Sequence, residues 1–340
     1  MVLDTMTQVA IVKGTDPYET TLEALTLIKD EIQIHREPVV LKPNLLITKK
    51  APLVVTAPEV CVAVADFLMD IKKINQPILA EGTTIGNPSN TFESMKNNGY
   101  APFQDRWIPV NLTSEKPSKW FPIYNVDDPR KLELGIAQTI INCPFIVSIP
   151  KFKTHDVLGL TLSLKNLMGT LVAVRDKSTT KLLARETTNT TSYMHGFGPK
   201  KPDKLSDALN TGPSKVALAI NLNRLAKVIQ PSLAVIDGIV AMEGDGPATQ
   251  GVKKNLNLII ASTDFIAADT VATYIAGMNP LHIQYIHCAG LNGLGEYRLD
   301  HISIIGESLD SITSPFRPHH LFQRAQFSET QTNTLLQNLT

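Results

Sequence analysis

The sequence predicts an α/β fold: a mostly parallel sheet covered by helices on both faces, with a long polar loop insertion. Three observations predict it. Short apolar runs of strand length alternate with longer segments of helical periodicity. The strand runs are apolar at consecutive positions, as in sheets buried on both faces. With 340 residues, 43% hydrophobic and 19% charged, the chain can bury a sizeable core.

The elements follow in order. Residues 9–12 read as the first strand. Residues 18–34 follow as a helix, with Leu22, Leu25, Ile28 and Ile32 on one stripe and Asp16-Pro17 as its opening signal. Residues 39–41 read as the second strand. Residues 58–71 form a helix with Thr56 as N-cap and Glu59 in the first turn. A strand at 77–80, a helix at 131–141 and a strand at 145–149 come next. Beyond them lie a helix at 214–229 and strands at 233–236 and 256–261. A helix at 265–275 is capped by Thr263 or Asp264 and ended by Gly277. Residues 302–305 are a last short strand. Residues 175–212 are polar and rich in Thr, Lys, Gly and Pro, and read as a lid, an insertion or a mobile loop. A single large domain therefore spans 1–306, divisible into lobes of about 1–150 and 151–306, with residues 307–340 as a tail that frays at its end.

Composition excludes several classes. Lys+Arg and Asp+Glu both number 32, so no global basic field argues for nucleic acid. Aromatics at 6% are poor material for base stacking. The three cysteines, Cys61, Cys143 and Cys288, are isolated, so no iron–sulfur cluster and no disulfide scaffold is expected. No secretory signal and no apolar run of membrane-spanning length is read, so neither a membrane nor an export route is expected and the default compartment is the cytoplasm. Near-zero net charge favours a homo-oligomer. The P-loop, the dinucleotide fingerprint, the GxSxG elbow and the HExxH pair are all missing from the sequence.

Charged residues gather at the strand ends. Lys42-Pro43-Asn44, Glu81-Gly82, Lys151 to His155, Asp237-Gly238 and Ser262-Thr263-Asp264 each follow an apolar run. In a parallel sheet all five ends share one edge, where open α/β sheets bind ligands. Extended backbone puts Lys151, Lys153 and His155 on one face, an anion receptor. Lys165 and Asn166 interrupt an apolar run, so Lys165 either snorkels, pairs with an acid or faces a pocket. Asp269 sits in an apolar helical run and needs a partner, with Lys165 or Lys42 as candidates. Asp237, Glu243 and Asp245 could hold a hard cation through oxygen ligands, or be solvated acids of a tight turn.

Lys42-Pro43-Asn44-Leu45, Ala57-Pro58-Glu59-Val60, Pro150 to His155, Leu164 to Gly169, Ile236-Asp237-Gly238 with Met242 to Pro247, and Asp264 with Ala268-Asp269 occur in this order. Together they resemble the domain of unknown function 362 family over roughly residues 38 to 306. That family has no settled activity. Many of its members carry a ferredoxin-like module with eight cysteines, which this chain lacks. In the family an arginine and a histidine often follow the Lys-Asn segment, which implies Arg175 and His195. A looser likeness to the amino-terminal domain of nickel-pincer lactate racemases implies Lys165 as the nearest counterpart of the lysine that holds the pincer cofactor. Leu162-Ser163 stand where that pattern has glycines.

The combined expectation is an enzyme acting on a small anionic molecule, a carboxylate or phosphate. Lys42, Asn44, Lys151, Lys153, Asn166 and Arg175 bind the substrate. His155, Lys165 and His195 do acid–base work. Glu81, Asp237, Glu243 and Asp269 orient the lysines or hold a divalent cation. The alternatives are a non-catalytic binding or cofactor-carrier module, and a redox accessory protein working with a separate ferredoxin.

Overall fold

The structure, a computed structural model, describes residues 6–85, 90–126, 130–185, 187–197, 212–322, 333–335 and 337–338. In chain order its strands are β1 (Thr7–Lys13), β2 (Val39–Pro43), β3 (Ile78–Glu81), β4 (Ile108–Asn111), β5 (Pro117–Pro122), β6 (Leu132–Ala137), β7 (Phe145–Ile149), β8 (Lys151–His155), β9 (Gly159–Thr161), β10 (Leu171–Asp176), β11 (Leu182–Arg185), β12 (Leu233–Asp245), β13 (Gln250–Lys254), β14 (Leu258–Ser262) and β15 (Ile302–Gly306). The main sheet has the row β15-β1-β14-β12-β7-β2-β3-β4, with β8 and β13 branching from β12 and β9 from β8.

Within that row every strand runs one way except β14. Helices cover both faces, as the sequence predicts. Alternate strand residues enter two separate cores. Val9, Val40, Ile146, Ala234 and Ile236 face one, with the helix Phe265–Ile275. Ala10, Leu41, Val147, Leu233 and Val235 face the other, with the helices Pro17–Leu27 and Pro58–Asp70. This double burial is why the strands are apolar at every position. At the outer end, Ile108 of β4 donates its N–H inward to Pro77 O (2.9 Å), so the backbone of Pro109 faces the open side.

The chain leaves β2 outward through β3 and β4, then returns to place β7 and β12 on the other side of β2. The order therefore reverses between β2 and β7. A crevice opens at the carboxyl ends of the strands at such a switch point.

Several expectations are corrected. The polar end Ser262-Thr263-Asp264 falls on the opposite edge from the other four, because β14 is antiparallel and Ser262 lies beside Ala234 at the start of β12. The cause is the connection. Thirteen-residue β12 turns back within residues 246–249, and residues 250–262 return along it as β13 and β14. So short a turn permits only an antiparallel return. Residues 131–141 form β6 followed by the short helix Gln138–Ile141 rather than one helix. Tertiary packing overrides helix propensity there. β6 is buried between β5 and β10 in a separate four-stranded sheet, β11-β10-β6-β5, and a Cβ on Gly135 would lie 2.5 Å from Pro117. The expected polar loop 175–212 contains the end of β10, all of β11 and the helix Thr187–Met194. Its residues 198–211, like most of 323–340, lie outside the described residues. The first helix ends at Leu27, short of residue 34. Thr56 is not the cap of the second helix. Its hydroxyl donates to Ile149 O, and the Ala57 N–H goes instead to Asp237.

The helix Phe265–Ile275 is capped by Asp264, whose Oδ1 accepts the N–H groups of Ile266 and Ala267 (both 2.9 Å). One turn later Asp269 finds its partner. That partner is neither Lys165 nor Lys42 but the backbone: Oδ1 accepts Ser163 N–H (2.8 Å) and Oδ2 accepts Leu164 N–H (3.0 Å). Burial pushes the Asp269 carboxyl up to about 7, against those two hydrogen bonds. The contact fixes the helix Ser163–Asn166, which carries Lys165 and Asn166. Asp269→Ala strands two buried N–H groups, and an expected loss of about 2–4 kcal/mol is checked by urea denaturation. A loss under about 0.5 kcal/mol contradicts this role.

Candidate functional site

A cavity of about 330 Å³ opens at the switch point. Asn44 and Leu46 after β2, Glu81 and Gly82 at the end of β3, and Lys153 and His155 on β8 contribute to its wall. Lys165 and Asn166 come from the short helix after β9, and His195 from the turn after Thr187–Met194. A larger and more apolar groove, about 630 Å³, lies elsewhere between Tyr274, Leu281 and Tyr297, with none of these groups in its wall.

Beneath the cavity floor lies an ion pair. The Lys42 ammonium, with no exposed surface, contacts Glu81 Oε2 and bonds Pro43 O (3.2 Å) and Asn166 Oδ1 (3.3 Å). Burial pushes Lys42 down and Glu81 up from their ordinary values, and each partner opposes that push. Asn166 donates back to Lys42 O (2.9 Å) and Ser148 Oγ (3.1 Å), while its Oδ1 also takes Asn44 Nδ2 (3.4 Å). Asn44 Oδ1 in turn accepts Lys153 Nζ (2.7 Å), which also donates to Val54 O (2.8 Å). Gly169 is required at this spot: a Cβ there would lie 1.8 Å from Glu81 Oε1.

Burial, reinforced by the charges of Lys165 and Lys151, pushes Lys153 well below its ordinary value. Lys165 is lowered to about 8 by burial and by Lys42, against the attraction of Asp156. Among the described residues Lys165 has no hydrogen-bonding partner, and neither has the buried hydroxyl of Thr161 in the same wall. Asp156 Oδ1 lies 2.9 Å from His155 Nδ1 and accepts Val157 N–H (2.9 Å). Burial opposes its ionisation, but His155, His195 and Val157 outweigh burial and hold it well below the usual carboxylate range. Burial pushes His155 down against Asp156, and pushes His195 down to about 3 with help from Lys165. Both imidazoles are therefore neutral at pH 7. His155 Nδ1 also accepts the N–H groups of Val157 (3.1 Å) and Leu158 (3.3 Å), so that nitrogen holds the ring in place and Nε2 is the one left to exchange a proton.

The cavity thus brings together Asn44, Glu81, Lys153, His155, Lys165, Asn166 and His195. Lys42 supports it from below. Lys151 is consumed by Asp237 (2.9 Å), a buried pair whose carboxylate also takes Ala57 N–H (2.8 Å). Arg175 is not at the cavity. It pairs with Glu133 on the facing strand β6 (2.7 Å) and stacks on Trp120, because β10 and β6 are neighbours in the small sheet. The four acids expected to hold a cation are also dispersed. Glu81 faces Lys42, Glu243 faces Lys254 (3.2 Å) and Asp269 faces backbone, while Asp237 meets Lys151 and Ala57 N–H through Oδ2 and leaves its buried Oδ1 without a hydrogen-bonding partner among the described residues. Asp156 was not anticipated. Consecutive residues of a strand point to opposite sides, but β8 ends at His155 and the turn brings Asp156 back to its neighbour.

Glu81→Gln removes the one carboxylate that, among the described residues, contacts the fully buried Lys42 ammonium. An expected loss of about 3–5 kcal/mol in chemical denaturation follows, and a double variant Lys42→Met with Glu81→Leu recovers most of it. Gly169→Ala acts in the same direction by displacing Glu81. Equal stability of Glu81→Gln and the parent chain contradicts the assignment.

Similarity to known proteins bears on the fold and the family. The chain is 27% identical over 246 residues to a thylakoid-associated protein of Synechocystis sp., covering 72% of this chain and 64% of that relative's length. The chain thus spans under two thirds of the relative. Among solved structures, the lactate racemase apoprotein of Thermoanaerobacterium thermosaccharolyticum aligns at 10% identity and a TM-score of 0.43, over 80% of this chain and 57% of that one. A Thermotoga maritima protein aligns at 12% identity and a TM-score of 0.45, over 78% and 60%. No helix among the described residues is long and apolar enough to cross a membrane. Cys61, Cys143 and Cys288 are free and buried, and burial pushes Cys143 up to about 11 and Cys288 up to about 12. Residues 39–274 match the family described as domain of unknown function (DUF362), and the chain belongs to that family.

Proposed function

We propose that the cavity binds a small anion bearing carboxylate or phosphate groups and that His155 and His195 move a proton to or from it. One observation carries the reading: Lys165, lowered to about 8 and without a hydrogen-bonding partner among the described residues, lines the same cavity as two neutral histidines. Three lysines, at 42, 153 and 165, share two carboxylates, at 81 and 156. When all three are protonated the site has a positive excess, and an anion relieves it. Lys165 and the Thr161 hydroxyl supply donors. His155 is held at Nδ1 by Asp156 and by the N–H groups of Val157 and Leu158, so its proton exchange with a ligand runs through Nε2. His195, neutral on the same wall, serves as the second proton carrier. The volume of about 330 Å³ suits a small molecule rather than a polymer. A reducing, cytoplasmic setting belongs to the same reading, supported by three free, buried cysteines.

The reading is tested on the full chain with inorganic phosphate, citrate and oxalate by calorimetry. Saturable binding is expected to weaken above about pH 8, where Lys165 loses its proton. Lys165→Met is expected to weaken it at least about tenfold, the loss of one charge-assisted contact. The same variant should be more stable at pH 7. A folded value of about 8 lies below the unfolded value, so burial of the charge costs stability in full below pH 8 and not at all above about 10.5. Removing it gains about 1–3 kcal/mol at pH 7, a gain that vanishes as pH rises from 8 to 10.5. No saturable binding of any of the three anions, or unchanged binding by Lys165→Met, overturns the reading.

A further inference from the structure

We propose that Asp245, His319 and His320 form a binding site for a divalent cation of the zinc class, beside the cleft and distinct from it. The three meet because the chain after β15 is laid back along the end of β12. Ser314 and Phe316 donate their N–H groups to Ile275 O and Ala276 O (both 2.9 Å), and Gly244 N–H donates to Arg317 O (2.7 Å). The Phe316 ring stacks on Phe152 with centroids 4.9 Å apart. Anchored this way, His319 and His320 arrive over Asp245, their rings stacked at 4.6 Å. One donor atom from each of the three residues lies within 4.8 Å of the others. His320 Nδ1 is already 2.8 Å from Asp245 Oδ1, and His320 N–H donates to the same oxygen (3.1 Å).

The chemistry of the set selects the cation. Two imidazoles and one carboxylate suit zinc and its neighbours, whereas magnesium and calcium want oxygen ligands. Metal–ligand bonds near 2.0–2.2 Å place tetrahedral ligands about 3.3–3.5 Å apart, within a small side-chain adjustment of the present spacing. The Arg317 guanidinium lies against Gly244, next to Asp245 in the chain. Leu321 N–H donates to His319 Nδ1 (3.0 Å), and a metal on that ring displaces this one hydrogen bond. Three protein ligands leave a coordination position open. Pro247 and Ala248, two and three residues past Asp245, line the cleft, so a bound cation stands at its rim and pins the returning chain to β12.

The test uses the full chain stripped with EDTA and exchanged into metal-free buffer. Titration with Zn²⁺ alone is expected to give one site per chain by calorimetry, and Co²⁺ a visible absorption band that Zn²⁺ abolishes. His320 and Asp245 are exposed at 65% and 39% of their side chains, so His320→Ala and Asp245→Asn leave the fold intact. Each is expected to weaken Zn²⁺ binding at least about tenfold. His301→Ala, an exposed histidine elsewhere, leaves it unchanged. Absence of stoichiometric binding, or equal binding by the parent and the two ligand variants, overturns the proposal.

Discussion

The site depends on the buried contact between Lys42 and Glu81. It stands beside the point where the strand order reverses, and it adds a side-chain link to the backbone pairing of β2 with β3. Two charges taken from water at this depth repay the cost only with close geometry and further hydrogen bonds. The chain supplies both. Asn166 and Pro43 complete the ammonium's contacts, and glycine at 169 leaves room for the carboxylate. Because Lys42 makes the direct contact with Glu81, that acid acts on Lys153 as a charge without a hydrogen bond.

Much of this was legible in the residues. The parallel core announced itself through consecutive apolar positions, since every strand residue must face one of two cores. The ends of β2, β3 and β8 were marked by Lys42, Asn44, Glu81, Lys153 and His155 directly after apolar runs. Lys165 and Asn166 were marked by their intrusion into Leu160 to Met168. These signals are local, and each survives folding because the polar group has nowhere else to go.

What was not legible depends on direction and on register. β14 has the same apolar run whichever way it points, and only the turn at 246–249 reverses it. β6 opens with Leu-Glu-Leu, good helix formers, and becomes a strand because β5 and β10 flank it. Arg175, expected to bind the substrate, is set beside Glu133 by the pairing of β10 with β6. Asp156 carried no signal, because only the turn after β8 brings it to His155. Asp245 and the histidine pair are separated by more than seventy positions, and nothing near either one signals the other.

The proline at 109 has a consequence for how copies of this chain can meet. An edge of a sheet is ordinarily a template for another strand, because alternate residues offer donors and acceptors outward. Here the outward-facing residue between Ile108 and Val110 has no amide hydrogen to give. A neighbouring molecule cannot continue the ladder past β4 without losing a hydrogen bond at that step. Fibrous growth from this side is discouraged by a single ring closure.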